Sequence, residues 1–138
     1  MNLDEARTAI ILALGRMNAL YHQPVFNEWV LVKLASEQGA ILAYHGPRAE
    51  TYQGRFKGDI VPLRAELEER HMAVGDFAFV PDAASTRFDA CIRLGSASYL
   101  FCNNIGKSMA DIRQDPLWLE AQKPFVQLSE LFRKEPLE

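Results

Sequence analysis

With only two cysteines and three histidines, and no apolar run longer than the six residues 9–14, this chain offers little that would mark it as secreted, metal-binding or membrane-spanning. An apolar run that short cannot cross a bilayer. The start, MNLDEAR, lacks the basic opening and cleavage region of a signal peptide, so the expected compartment is the cytoplasm. His22, His45 and His71 are not at metal-ligand spacing, and Cys91 and Cys102 form no CxxC, so no metal is expected. Positive charge is also scarce. Fifteen Lys and Arg against eighteen Asp and Glu give a net charge of −3, the reverse of the basic excess that neutralises nucleic-acid phosphates. No GxSxG nucleophile elbow occurs. No linker long enough to separate two domains interrupts the 138 residues, so a single domain is expected, with 105–138 as a C-terminal helical extension packed on it.

The 49% of hydrophobic residues lies in patterned segments, which excludes a disordered or fibrous chain. The most informative segment is 87–108, RFDACIRLGSASYLFCNNIGKS, which reads as a β-hairpin feeding a helix. Gly95-Ser96 suits a two-residue type II′ turn. Pairing Leu94 with Ala97 then sets Ile92 beside Tyr99 and Ala90 beside Phe101, giving a core face of Phe88, Ala90, Ile92, Leu94, Ala97, Tyr99 and Phe101. The opposite face carries Asp89, Cys91, Arg93, Ser98, Leu100 and Cys102, a mixture that requires partial cover by a helix, a partner chain or a ligand. In this register the cysteines are diagonal on one face at about 7 Å, too far for an unstrained disulfide, and read as reduced, half-buried thiols.

Residues 3–21 carry apolar side chains at helical spacing, Leu3, Ala6, Ile10, Ala13, Met17 and Leu20, widened by Ile11 and Leu14. Asn2 with Glu5 predicts a capping box. Residues 23–39 admit a helix from Pro24 to Gly39. A strand at 27–34 with a return strand at 40–45 is preferred, because NEWVLVKL is β-branched and aromatic and leaves no helical stripe. Apolar residues on both faces place these two strands centrally. A loop follows to Lys57, then a helix over 60–70 capped by Asp59, with a narrow Ile60, Leu63 and Leu67 stripe and a charged outer face. A strand at 74–80, a loop at 82–86, the hairpin, a helical turn at 108–113 and a final helix opened by Asp115-Pro116 complete the order. The last helix has Trp118, Ala121, Phe125, Leu128 and Phe132 on one stripe, and Pro124 should kink or split it.

The expected architecture is therefore α+β, a single antiparallel sheet of about five strands with helices on both faces, in the order α-β-β-α-β-β-β-α. This order resembles that of the roadblock/LC7 domain over nearly the whole chain. Longin, profilin, PAS and GAF domains have related layouts. The resemblance implies a homodimer built from a helix and a sheet edge, serving as a platform for small Ras-like GTPases or other protein partners. On that basis the interface is expected at Leu63, Leu67 and Arg70 of the 60–70 helix, whose narrow stripe leaves apolar surface for a second copy.

Chemistry-bearing candidates are few. Gly106, Lys107 and Ser108 follow a strand and open a helix, where a phosphate-binding loop would stand. The glycine that such a loop needs five residues earlier is Phe101, and Ser108 with Asp111 already explains the segment as a helix cap. Cys91 would be a nucleophile only if a neighbouring cation or helix N-terminus lowered its pKa. Asp89 and Arg93 either orient a ligand or meet the charged side chains of 60–70. The expectation is a non-catalytic interaction or regulatory module without a cofactor. The alternatives are a small-molecule sensor resembling PAS or GAF domains, with the mixed hairpin face or the 45–57 loop lining its pocket, and an enzyme working through Lys107 or Cys91.

Overall fold

A computed structural model of the chain describes residues 1–21, 25–34, 39–46, 58, 60–79 and 88–137. Among the described residues the elements are α1 (Leu3–Asn18), β1 (Glu28–Lys33), β2 (Ala40–His45), α2 (Leu63–Arg70), β3 (Phe77–Phe79), β4 (Ala90–Arg93), β5 (Ser98–Asn103), α3 (Met109–Gln114), α4 (Trp118–Ala121) and α5 (Lys123–Lys134). The five strands form one antiparallel sheet in the order β2-β1-β5-β4-β3. The α+β class and the strand at the ambiguous 27–34 segment are as the sequence indicates. The expected cap Asp59, the 82–86 loop and most of the 45–57 loop lie outside the described residues.

Local chemistry accounts for the helix ends. The Asn2 side chain accepts from the Glu5 N–H at 2.8 Å, the expected N-cap, and its side-chain amide donates to the Glu5 carboxylate at 2.9 Å in place of the backbone N–H of a full capping box. Ser108 caps α3 by accepting from the Asp111 N–H at 3.2 Å. Asp115 accepts from the Leu117 N–H ahead of α4. The helix then breaks at Gln122, because Pro124 has no N–H for an interior helical bond and fits only the first turn of a new helix, α5. The helix expected from Ile60 begins instead at Leu63, with Pro62 as its N-cap.

Two apolar clusters sandwich the sheet. Trp29, Leu31, Ala90, Ile92, Leu100 and Cys102 point to the face covered by α1, α3, α4 and α5, and Phe125, Leu128 and Phe132 of α5 sit at the centre of that cluster. Val30, Val32, Cys91, Tyr99 and Phe101 point to the other face, where Ile60, Met72, and Leu63 and Leu67 of α2 cover them. Strands buried from both sides read as continuous apolar runs, which is the pattern of β1 and β5. β1 is central, between β2 and β5. β2, also expected to be central, is an edge strand among the described residues, with Tyr44 41% exposed.

The hairpin register differs from expectation by one residue. Ile92 faces Leu100 and Ala90 faces Cys102, so Tyr99 and Phe101 move to the α2 face while Leu100 and Cys102 enter the main core. The Leu94 N–H donates to Ser98 O, so Ala97 falls in the turn with Gly95 and Ser96. Tertiary contacts hold that wider turn. Arg93 donates to the carbonyls of Gly95 (3.0 Å), Ser96 (2.7 Å) and Met72, Leu34 N–H donates to Ala97 O, and Leu137 N–H donates to Leu94 O. The cysteines consequently lie on opposite faces, neither in a disulfide and both fully buried, where one face and half burial are expected from the sequence.

Two backbone positions show how the pieces are locked. Phe26 has φ 55, unusual for a bulky residue, and its ring stacks on Phe79 at 6.1 Å and tilts against Phe125 at 5.9 Å. Gly75 has φ 91, and a Cβ there would stand 2.9 Å from the Ser129 carbonyl oxygen, so only glycine lets the turn before β3 lie against α5. Ser129 Oγ donates to Gly75 O across this contact.

Candidate functional site

The residues singled out in the sequence do not converge on one place. Gly106, Lys107 and Ser108 are exposed, and the Asn104 side chain accepts from both the Gly106 and Lys107 N–H groups, at 2.8 and 2.7 Å. The donors a phosphate would need are engaged within the loop, and Ser108 is engaged as a cap. Cys91 lies beneath α2 and Cys102 beneath the helical layer, each at 0% exposure. Burial pushes the Cys102 thiol well above the ordinary value, with the neighbouring Cys91 and Asp89 adding to the rise, so the thiolate is disfavoured there. Among the described residues no group of three or more His, Cys, Asp and Glu side chains could hold a metal ion. No described helix is long and apolar enough to cross a membrane.

Leu63 and Leu67 are 3% and 1% exposed because they pack on the sheet. What α2 shows to solvent is Pro62, Ala65, Glu66, Glu68, Glu69 and Arg70. Arg70 reaches the rim of a shallow groove of about 410 Å³ beside β3, lined also by Asp76, Phe77 and Arg133. An exposed ion pair, Arg133 to Asp76 at 3.7 Å, spans that groove.

A second groove of about 470 Å³ runs between α2 and the β4–β5 turn, lined by Leu34, Arg64, Glu68, His71, Arg93 and Tyr99 among others. Arg64 pairs with Glu68 at 3.1 Å along the helix. Arg93, which sequence reasoning set against the charges of α2, clamps three carbonyls and lies 5.8 Å from the Tyr99 ring centre. Asp89 accepts from the Asn104 N–H at 2.7 Å. Both therefore serve the hairpin. Burial raises the Tyr99 phenol pKa, with Arg93 opposing and Glu68 reinforcing the shift, so the phenol stays protonated. Leu34, Leu67 and Met72 give this groove an apolar part, and Arg64, Glu68, His71 and Arg93 give it a charged and polar part.

The third feature is a set of exposed apolar side chains, of which the sequence pattern places only Ile11 in the core stripe. Ile11 and Leu12 of α1 are 55% and 56% exposed, and Leu117 and Leu119 at the start of α4 are 42% and 72% exposed, all on the helical side of the sheet. At about 100° per residue, Ile11 lies roughly 120° from the mean inward direction of Ala6, Ile10 and Met17, and Leu12 lies farther round. That angle was the available signal. No family model, curated protein or solved structure matches the chain.

Proposed function

We propose that this protein is a non-catalytic, homodimeric interaction module that regulates or scaffolds a protein partner, with a small Ras-like GTPase as the partner class to test first. The observation that carries the reading is the set of large apolar side chains left on the outer side of the helical layer, Ile11, Leu12, Leu117 and Leu119. Large apolar side chains left exposed mark protein contact sites where they gather into a patch. The element order supports the choice of partner class, because it is the order for which the roadblock resemblance implies a GTPase platform. The test is binding of Ras-like GTPases, loaded with GDP or a GTP analogue, to the immobilised protein. Saturable binding that Leu119→Asp abolishes supports the reading, and absence of binding across GTPases and nucleotide states removes the GTPase assignment.

A second reading, a small-molecule sensor similar to PAS or GAF domains, is favoured by the groove between α2 and the β4–β5 turn. Native mass spectrometry of freshly purified protein tests it. A bound mass that disappears on denaturation and in Arg64→Ala would support the sensor, and a bare protein mass would count against it.

A further inference from the structure

On α1, positions 5, 9, 12 and 16 fall within about 60° of one another at 100° per residue and so form a single stripe. Its occupants are Glu5, Ala9, Leu12 and Arg16. Glu5 and Arg16 are exposed, Ala9 is half-buried and Leu12 is 56% exposed. Read from either end about its midpoint, the order acid, small, large, base becomes base, large, small, acid. An antiparallel copy therefore sets Arg16 against Glu5 and Leu12 against Ala9, twice over. The stripe borders an open groove of about 200 Å³ in which Ala9 and Arg16 face Pro124, Gln127 and Leu131 of α5. An incoming leucine over Ala9 would enter that groove.

We infer that this edge of α1, with the α1–α5 groove, is a self-association surface whose occupant is a second copy of the chain, packed antiparallel. Charge complementarity selects the copy, since the acidic first turn and Arg16 in the last turn of α1 oppose each other only when the two helices run in opposite directions. Polarity then follows from the sequence of one helix. A contact along a helix of 16 residues buries less than the roughly 1,200 Å² at the lower end of stable interfaces. The association is accordingly of the weak, transient class.

This inference rests on the dimeric-module reading and moves its self-contact from α2, where the two leucines are spent inside the subunit, to α1. Sedimentation equilibrium across the micromolar range tests it. Leu12→Arg should leave a folded monomer, judged by circular dichroism. Glu5→Lys and Arg16→Glu should each weaken association by about tenfold, and the double variant should restore it to within about threefold. A mixture of Ala9→Cys and Leu12→Cys chains should form an intermolecular disulfide under mild oxidation, with Cys91 and Cys102 silent because they are buried. A dimer that survives Leu12→Arg and gives no such disulfide overturns the α1 surface and leaves the dimeric module standing. A chain that is monomeric at every concentration overturns both. If that monomeric wild-type chain also binds a GTPase and Leu12→Arg abolishes the binding, the stripe belongs to that partner and not to a second copy.

Discussion

The two faces of the sheet carry similarly apolar strands and are covered in opposite ways. On one side four helices bury an aromatic assembly in which Phe125 meets Phe26, Phe77 and Phe79 at 5.9, 5.3 and 5.2 Å. On the other, an eight-residue helix with two inward leucines spans Val30, Val32, Cys91, Tyr99 and Phe101. Isolated helices this short are marginal in water, so α2 is held by its leucines and not by its own propensity. Among the described residues the deeper aromatic packing lies on the thick face, so local opening is expected first at α2 on the other. Function divides differently. The thick side presents exposed apolar residues to solvent, while the thin side presents charge and a groove.

This contrast can be broken from either side. Phe125→Ala should have the largest effect, about 3–5 kcal/mol of global stability in urea unfolding, because the cavity lies where four aromatic rings meet and cannot collapse. Leu67→Ala on the thin face should cost about 2–3 kcal/mol, with hydrogen exchange showing faster opening of α2 while β1 and β5 remain protected. Equal loss of protection throughout would show that the two faces open as one unit. Below the unfolding transition, Cys91 should react with a thiol reagent about tenfold or more faster than Cys102, since only Cys91 is uncovered when α2 detaches. Equal rates would erase the difference between the faces. Asn2→Ala should cost about 1 kcal/mol through the lost cap of α1.

The last prediction concerns pH. The folded pKa of Cys102 is raised, so the folded state holds a proton that the unfolded chain releases above the ordinary thiol value of 9.0. Its contribution to stability is complete below that pH and is lost as pH rises towards the folded value. Tyr99, also raised, extends the loss above its ordinary value of 10.0. Urea midpoints measured from pH 7 to 10 should therefore be flat at first and fall at the alkaline end, and Cys102→Ala should remove the earlier part of the fall.

Several parts of this molecule were legible because a local rule decided them. The stripe Trp118, Ala121, Phe125, Leu128 and Phe132 is buried throughout, as its spacing indicates, and Pro124 divides the helix as its missing N–H requires. The caps at Asn2 and Ser108 follow from side chains within three residues of their acceptor and donor groups. Register was not legible. A one-residue slip exchanges the two faces of a strand, and in β5 both faces are buried, so neither polarity nor alternation penalises the wrong pairing. The candidate surface was missed for a related reason. Ile11 has the composition of a core residue, and the neighbours that leave it uncovered, α4 and α5, lie more than a hundred residues away in sequence.

Sequence alone determined what depends on near neighbours along the chain: most of the helical and extended segments, where α1 and α3 are capped, and that β1 would be covered on both sides. Only the tertiary structure decided which strands became edges, which residue of the hairpin faced which, and whether a given leucine was interior or exposed. Arg93 reaching three carbonyls, Leu137 docking on Leu94 and Gly75 lying against Ser129 are contacts between distant segments, and their energies outweigh the small local differences between competing turns and registers.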